Sequence, residues 1–567
     1  MTEITLKVFA NADDVHLVWS HDNDIPGCLG FAIECRRGTA SPKYLSNRVG
    51  FEDDTAVDKD GNRITARSSQ IWPFQRYDWT DHAADLGDVI AYRIVSRVKG
   101  AGGKLEDGPS SKWSQELTLS ADCGDGASVH FNRGYVLSQF MARYMKRKGI
   151  TLEELKKTAV IVSKKVDREA RAFLGGTLRE TMLKMMADVA ADDGLELHAA
   201  FYELSDEELI DGLCAIGKSA KIVLANGSVK AEGEDENADA RKRLGGAGVV
   251  VHDRFLAPKA LAHNKFVVVG RLTDEKFEPA KVWTGSTNWT PTGLCTQLNN
   301  GIMLDHPRLA QRYEEQFKLL IDAKSSVSDD LLASNNAPER DIKFGTGTVD
   351  SWFSSLGDEI DIKELIKLVE GAQQGVFFVM FQPGNEPVRT LLRIQEEKKL
   401  YVRGVATRFT GKGLEEFKLL KAKPEDFFLD AAQDTGVEKP VGQWAVEGTA
   451  ADFTSAIGHA ITHSKVLVID PFGDDPVVVT GSHNFSHAAS AGNDENFIVI
   501  RGHKMIAMHY AINAMQTYSH YRWRAYLAEA AKEKKNPFEY LSRDPQWQKR
   551  RTTGETKRML AFWMAGA

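Results

Sequence analysis

The sequence predicts an α/β protein of two related halves preceded by a β-sandwich, and three observations carry that prediction. The first is length: 567 residues exceed one ordinary hydrophobic core, so about two to four domains are expected. The second is a change of texture near residue 122, where short strands divided by turns give way to helix alternating with strand. The third is a repeated string. AHNKFVVVG is followed by GSTN, and THSKVLVID by GSHN, in the same internal order and about 200 residues apart.

The elements follow in order. In residues 1–122 Val15, Leu17 and Trp19 recur at period two, as do Phe31, Ile33 and Cys35, and Tyr92, Ile94 and Ser96; a last run covers Trp113 to Leu119. DKDGN (Asp58 to Asn62) and KGAGGKLEDG (Lys99 to Gly108) read as turns between them. Short strands at such spacing predict a small sandwich, and the pattern loosely resembles a fibronectin type III-like module. Residues 123–330 form the first half with a helical lead-in: helices over Gly134 to Lys148, Leu152 to Lys157 and Arg171 to Ala191, then strands at LHAAFYEL (Leu197 to Leu204) and KIVLAN (Lys221 to Asn226). Residues 331–525 repeat the plan, with a helix at Ile362 to Gly371, the strand VFFVMFQPG (Val376 to Gly384), a helix over Pro387 to Lys398 and the strand YVRGVATRF (Tyr401 to Phe409). The polar run Ser325 to Asp341 links the halves. Residues 526–567 read as a C-terminal tail, basic in places.

The bulk numbers bound the function. A net charge of -7 provides no global basic field for a polyanion. The five cysteines are odd in number and show no CxxC pairing, which argues against structural zinc and a disulfide framework and for a reducing compartment. MTEITLKVFANADD has no basic start followed by an apolar run, and no apolar stretch is long enough to span a bilayer, so a cytoplasmic location is expected, with export by a non-Sec route left open.

The repeated string carries the chemistry. Side chains two apart on a strand share a face, so His263 projects with Lys265 and His463 with Lys465. Each copy then reaches Gly285, Ser286 and Asn288, or Gly481, Ser482 and Asn484. Glycine lets the backbone approach a ligand closely, and serine and asparagine supply hydrogen-bond donors. Two imidazoles, two ammonium groups, two hydroxyls and two amides make a receptor for one phosphoryl group, with a histidine on either side of phosphorus.

The order HxKxxxxD, GSxN and then an acid, most of it present twice, resembles the phospholipase D superfamily over roughly Asp167 to Tyr521. That resemblance implies two α/β/α-layered halves about a pseudo-two-fold axis. It also implies one histidine that attacks phosphorus to give a phosphohistidine and another that protonates the leaving oxygen. No metal or other cofactor is implied; the lysines act as the charge clamp. GSTNWT and NDENFIVI are closest to the nuclease and cardiolipin-hydrolase branch.

The copies differ. The second is complete, with His463, Lys465, Asp470, Gly481, Ser482, Asn484 and Glu495, whereas alignment carries Asp470 onto Gly270 and Glu495 onto Asn299. A carboxylate partner stabilises a charged imidazole, and an amide fixes the tautomer without that stabilisation. The expected roles are therefore His263, oriented by Asn299, as nucleophile, and His463, backed by Glu495, as general acid. Ser286, Asn288, Ser482 and Asn484 are the expected phosphate ligands, with Gly285, Gly481 and Asp470 in support.

Weaker signals read as structural. His459, His483 and His487 are taken as packing residues, the acidic run Glu232 to Asp239 as a solvated loop, and Arg241, Lys242 and Arg243 with Gly245 to Gly248 as a surface loop. Trp289 and Phe485 wall the cleft or fill an interface. The expected reaction is phosphodiester hydrolysis, on a phospholipid at a membrane surface before a nucleic acid. A phosphate-binding interaction protein with reduced catalysis is the third reading, and the sandwich is a candidate surface for a protein partner.

Overall fold

The computed structural model describes residues 2–54, 66–134, 147–149, 168–229, 231, 233–257, 260–407, 428–430, 462–532 and 540–566. The chain divides into two compact units, 1–120 with 526–567, and 121–525. The helices expected over Gly134 to Lys148 and Leu152 to Lys157 lie almost wholly outside the described residues, and so does His459.

The first unit contains β1 (Ile4–Ala10), β2 (Val15–His21), β3 (Cys28–Arg37), β4 (Lys43–Tyr44), β5 (Ser46–Asn47), β6 (Arg67–Ser68), β7 (Asp78–Asp81), β8 (Val89–Lys99), β9 (Leu105–Ser110) and β10 (Leu117–Thr118). One sheet runs β1-β2-β7, another β10-β8-β3-β4 with β9 also on β8, and β5 pairs with β6. KGAGGKLEDG is more than a turn, because Leu105 to Ser110 returns along β8 with Glu106 opposite Val98.

β2 is buried at His16 and Val18 as well as at Val15, Leu17 and Trp19, which a one-faced strand would not show. The cause lies at the far end of the sequence. The helix Gly554–Met564 covers this strand, with Trp563 edge-on to Phe9 and His16 at 5.1 and 4.5 Å. Trp547 stacks on Tyr77 at 5.7 Å and its Nε1 donates to the Cys28 carbonyl. The tail set apart in sequence is thus part of the core of this unit.

The second unit is built twice. Its first sheet contains β11 (Asp122–Gly124), β12 (Ala127–Phe131), β13 (Leu195–Phe201), β14 (Ala220–Ala225), β15 (Val250–Arg254), β16 (Lys265–Thr273), β17 (Lys276–Gly285) and β18 (Asn300–Asp305). The second contains β19 (Glu339–Phe344), β20 (Gly347–Ser354), β21 (Gly375–Met380), β22 (Tyr401–Ala406), β23 (Phe428–Asp430), β24 (Val466–Ile469), β25 (Val477–Gly481) and β26 (Glu495–Arg501). The strand orders, β11-β12-β18-β17-β16-β13-β14-β15 and β19-β20-β26-β25-β24-β21-β22-β23, are the same. The sequence duplication is a duplication of topology.

Local chemistry sets the helices. Asp206 accepts from the Glu208 and Leu209 amides and so caps Glu207–Ile216, whose apolar face carries Leu209, Ile210, Leu213 and Ile216. Ser328 caps Asp329–Asn335, so the polar link between the halves holds a short helix. Arg241, Lys242 and Arg243 lie in the helix Ala238–Gly246 and not in a loop; Arg241 pairs with Asp235 and Asp253, and Arg243 with Asp211. Each half buries its own apolar cluster, around Leu197, Val267 and Trp283 in the first and Phe378, Leu467 and Val479 in the second. Among the described residues no helix is long and apolar enough to cross a membrane.

Candidate active site

The strand register brings the two copies of the motif to one place. β16 begins at Lys265 and β24 at Val466, so each histidine stands just before its strand rather than on it. Each lead-in bridges to the other half: Ala262 pairs with Asp494 and Leu298 with Thr462, both parallel. The His263 amide donates to the Asp494 carbonyl and the His463 amide to the Leu298 carbonyl, each at 2.8 Å. A segment that crosses to the opposite half meets that half's acid or amide and not its own.

This crossing corrects the expected pairing. His263 Nδ1 lies 2.6 Å from Glu495 Oε2, and His463 Nδ1 lies 2.9 Å from Asn299 Oδ1. Each histidine is oriented by the other half. The tautomer of His463 follows from geometry, because Asn299 Nδ2 donates to the Gly293 carbonyl and the Ser286 carbonyl also faces His463 Nδ1 at 3.1 Å. Both neighbours of His463 Nδ1 are acceptors, so that nitrogen carries the proton.

The serines also change role. Ser286 Oγ donates to Asn299 Oδ1 and Ser482 Oγ to Glu495 Oε2, both at 2.7 Å, while the amides of Asn300 and Asn496 donate back to the two hydroxyls. Both serines are fully buried and hold the histidines' partners; they are not free phosphate ligands. Asn288 Nδ2 donates to Glu203 Oε2 at 2.5 Å, and one end of each amide, Oδ1 of Asn288 and of Asn484, has no hydrogen-bond partner. Gly285 and Gly481 are needed for space: a Cβ at either would stand 2.2 Å from the carbonyl of Asn300 or Asn496. Asp470 lies at the other end of β24, where it accepts from the Gln373, Gln374 and Gly375 amides.

The lysines stay with the histidines. Lys265 Nζ donates to the His263 carbonyl at 2.9 Å and Lys465 Nζ to the His463 carbonyl at 2.5 Å. Two aromatic rings complete the arrangement in matching positions. Tyr202 lies edge-on to His263 and under Lys265 at 5.0 Å, and Phe381 lies edge-on to His463 and under Lys465 at 5.1 Å.

Burial sets the electrostatics. His263 is pushed down to about 4 by burial, against the pull of Glu495, and Lys265 is pushed down to about 7 by the same cause. Burial, reinforced by Lys265, holds His463 and Lys465 well below their ordinary values. Burial works upward on Glu495, but His263 and Lys265 keep it below the usual carboxyl range. A bound phosphate diester brings an anion that draws the lysines back toward their ordinary values.

The sequence model of the family described as "Cardiolipin synthase, PLD-like domain" matches residues 195–321 and 365–515. The chain belongs to the phospholipase D superfamily. The matched regions are its two phospholipase D-like halves, and its superfamily is one of phosphodiester-acting enzymes. Among solved structures it is similar to phosphatidylserine synthase from Haemophilus influenzae, with 10% identity over 62% of this chain and 91% of that one and a TM-score of 0.39. It is also similar to yeast tyrosyl-DNA phosphodiesterase, with 12% identity over 57% and 88% and a TM-score of 0.30. For polyphosphate kinase from Porphyromonas gingivalis the identity is 12% over 56% of this chain and 45% of that one, with a TM-score of 0.37, so the chain spans less than half of that protein. No curated protein matches the sequence.

Several site residues of the phospholipase D-like halves escaped sequence reasoning. Asn300 and Asn496 donate across the halves, to Thr480 and Tyr510 and to Thr284 and Tyr313 respectively. Their signal was available, since each follows the Asn299 or Glu495 position in its own copy. Arg254 forms a buried ion pair with Asp494 at 2.9 Å across the halves; nothing local in the sequence marks it. Trp289 and Phe485 fill the cores of their own halves, and His483 faces buried Asp361 at 2.9 Å. His487 is exposed beside Glu359. A cavity of about 570 Å³ beside Arg501 and His503 lies at the far end of β26 from Glu495, about 20 Å away, and holds neither catalytic candidate.

Proposed function

We propose that the protein hydrolyses a phosphodiester through a phosphohistidine on His263, and that its substrate is a phospholipid. The observation that supports the first part is the exchange of partners between the halves. With Nδ1–H given to Glu495, the Nε2 lone pair of His263 is free to attack. The bond from Nε2 to phosphorus leaves a positive charge on the ring, beside the Glu495 carboxylate. The phosphorus–oxygen bond to the leaving group breaks as His463 Nε2 gives its proton to that oxygen.

A protonated His463 has a neutral amide at Nδ1, so its charged form is poorly stabilised and it is a ready acid. It then accepts a proton from water, which displaces the phosphoryl group from His263. The expected assignment of roles is kept, but its reason is reversed: the carboxylate serves the nucleophile.

The lipid reading is favoured by the family description, which names a phospholipid, and by the net charge of -7, which disfavours a polyanion. The full chain is assayed in EDTA on labelled phospholipid vesicles and on single- and double-stranded DNA, with acid-free quenching and mass spectrometry of the trapped protein. Cleaved lipid and phosphate on His263 are expected. Cleavage of DNA alone overturns the substrate, and phosphate on His463 overturns the roles.

A further inference from the structure

Besides the exchange of Glu495 for Asn299, the two halves differ at a further matching position beside the site. Tyr202 and Phe381 each follow the last residue of a strand, β13 and β21, and the next residues are Glu203 and Gln382. The first half therefore carries a carboxylate where the second carries an exposed amide. Glu203 is no bystander. Its Oε2 takes the Nδ2 hydrogen of Asn288, and its charge acts on both Lys265 and Lys465.

Two consequences follow. The first concerns charge: Glu203 and Glu495 are the carboxylates that offset Lys265 and Lys465, and burial pushes Glu203 up as it pushes the two lysines down. A singly charged diester is then matched by the one proton that His463 must carry to act. A doubly charged monoester brings a second negative charge with no counterion, next to Glu203. The second concerns hydrogen bonds. Glu203 takes one of the two Nδ2 hydrogens of Asn288, so that amide keeps a single donor beside its unpaired Oδ1.

We propose that Glu203 sets the charge of the anion this site accepts, admitting a singly charged phosphodiester and rejecting the doubly charged monoester that hydrolysis produces. The inference rests on the phosphodiester reading above and gives that site a device for product release. Substrate enters as a monoanion and leaves as a dianion, and the same carboxylate that tolerates the first expels the second.

The test is calorimetric titration of the full-length protein with inorganic phosphate and with dimethyl phosphate at about pH 7.5, where phosphate is largely a dianion. Wild type is expected to prefer dimethyl phosphate. In Glu203→Gln the preference moves toward inorganic phosphate by about tenfold or more, and in Glu203→Asp, which keeps the charge, it stays near the wild-type ratio. A ratio unchanged in Glu203→Gln, or one shifted equally in Glu203→Asp, overturns the proposal, as does binding of neither anion to any of the three. The hydrolase reading is separable. A shifted ratio in a protein that cleaves no diester leaves Glu203's role standing and removes that reading, whereas turnover with a fixed ratio does the reverse.

Discussion

At the scale of single residues, the exchange of Glu495 and Asn299 between the histidines decides how protons are distributed. His463 has an amide and the Ser286 carbonyl at Nδ1, and no carboxylate stabilises its charged form there. Asn299→Asp places a carboxylate at that point and raises the pKa of His463. Because His463 acts as an acid in its protonated form, the alkaline limb of the kcat/KM profile should move to higher pH, by about one unit or more. A limb that stays in place would show that another group donates the proton. His263 already has its carboxylate, so its acidic limb should not move. Sequence comparison of the two copies identified the residues of this pair correctly and their partners wrongly. Alignment matches a position with its counterpart, and hydrogen bonds need only proximity.

At the scale of elements, the same short segments perform the same work in both halves. The Gly-Ser-x-Asn turn of β17 or β25 places a glycine against the neighbouring strand and a serine under the histidine's partner. The helix Gly554–Met564 is the element whose place was least legible, because a basic tail carries no marker of what it covers. Period-two burial of β2 suggested one buried face; burial of both faces over Val15 to Trp19 required a second cover, and Trp563 supplies it without exposed surface of its own. Trp563→Ala should therefore destabilise the unit by about 3–5 kcal/mol, read by urea denaturation of the full chain. A loss below about 1 kcal/mol would mean that the tail is not part of the core.

At the scale of the whole molecule, buried neutral histidines connect stability to pH. Burial lowers His16 and His509 to about 4 and His130 to about 3, and His263 joins them at about 4. In the unfolded chain each takes up a proton near 6.5. Between about 6.5 and 4 the unfolded state binds protons that the folded state does not, so stability is full above 6.5 and falls as pH drops. Each such group adds about 1.4 kcal/mol per pH unit to the slope. Urea midpoints measured from pH 7.5 to 4.5 should decline steeply below pH 6.5, in both units, since His16 belongs to the first and the others to the second. A flat profile would show that these rings titrate normally and are not enclosed.

What the sequence determined by itself was the inventory: a duplicated α/β body, the two His-x-Lys triplets, the glycines and asparagines that follow them, and the loss of acids from the first copy. Those are properties of short strings, and short strings are preserved whatever the rest of the chain does. The tertiary structure alone decided which groups meet. His263 reaches Glu495 across 232 positions of sequence because its lead-in forms a bridge with the opposite half, and Asp470 leaves the site because an antiparallel strand carries it to the other end. Spacing along a chain fixes the direction in which neighbouring side chains point; only the packing of one half against the other brings distant groups within a hydrogen bond.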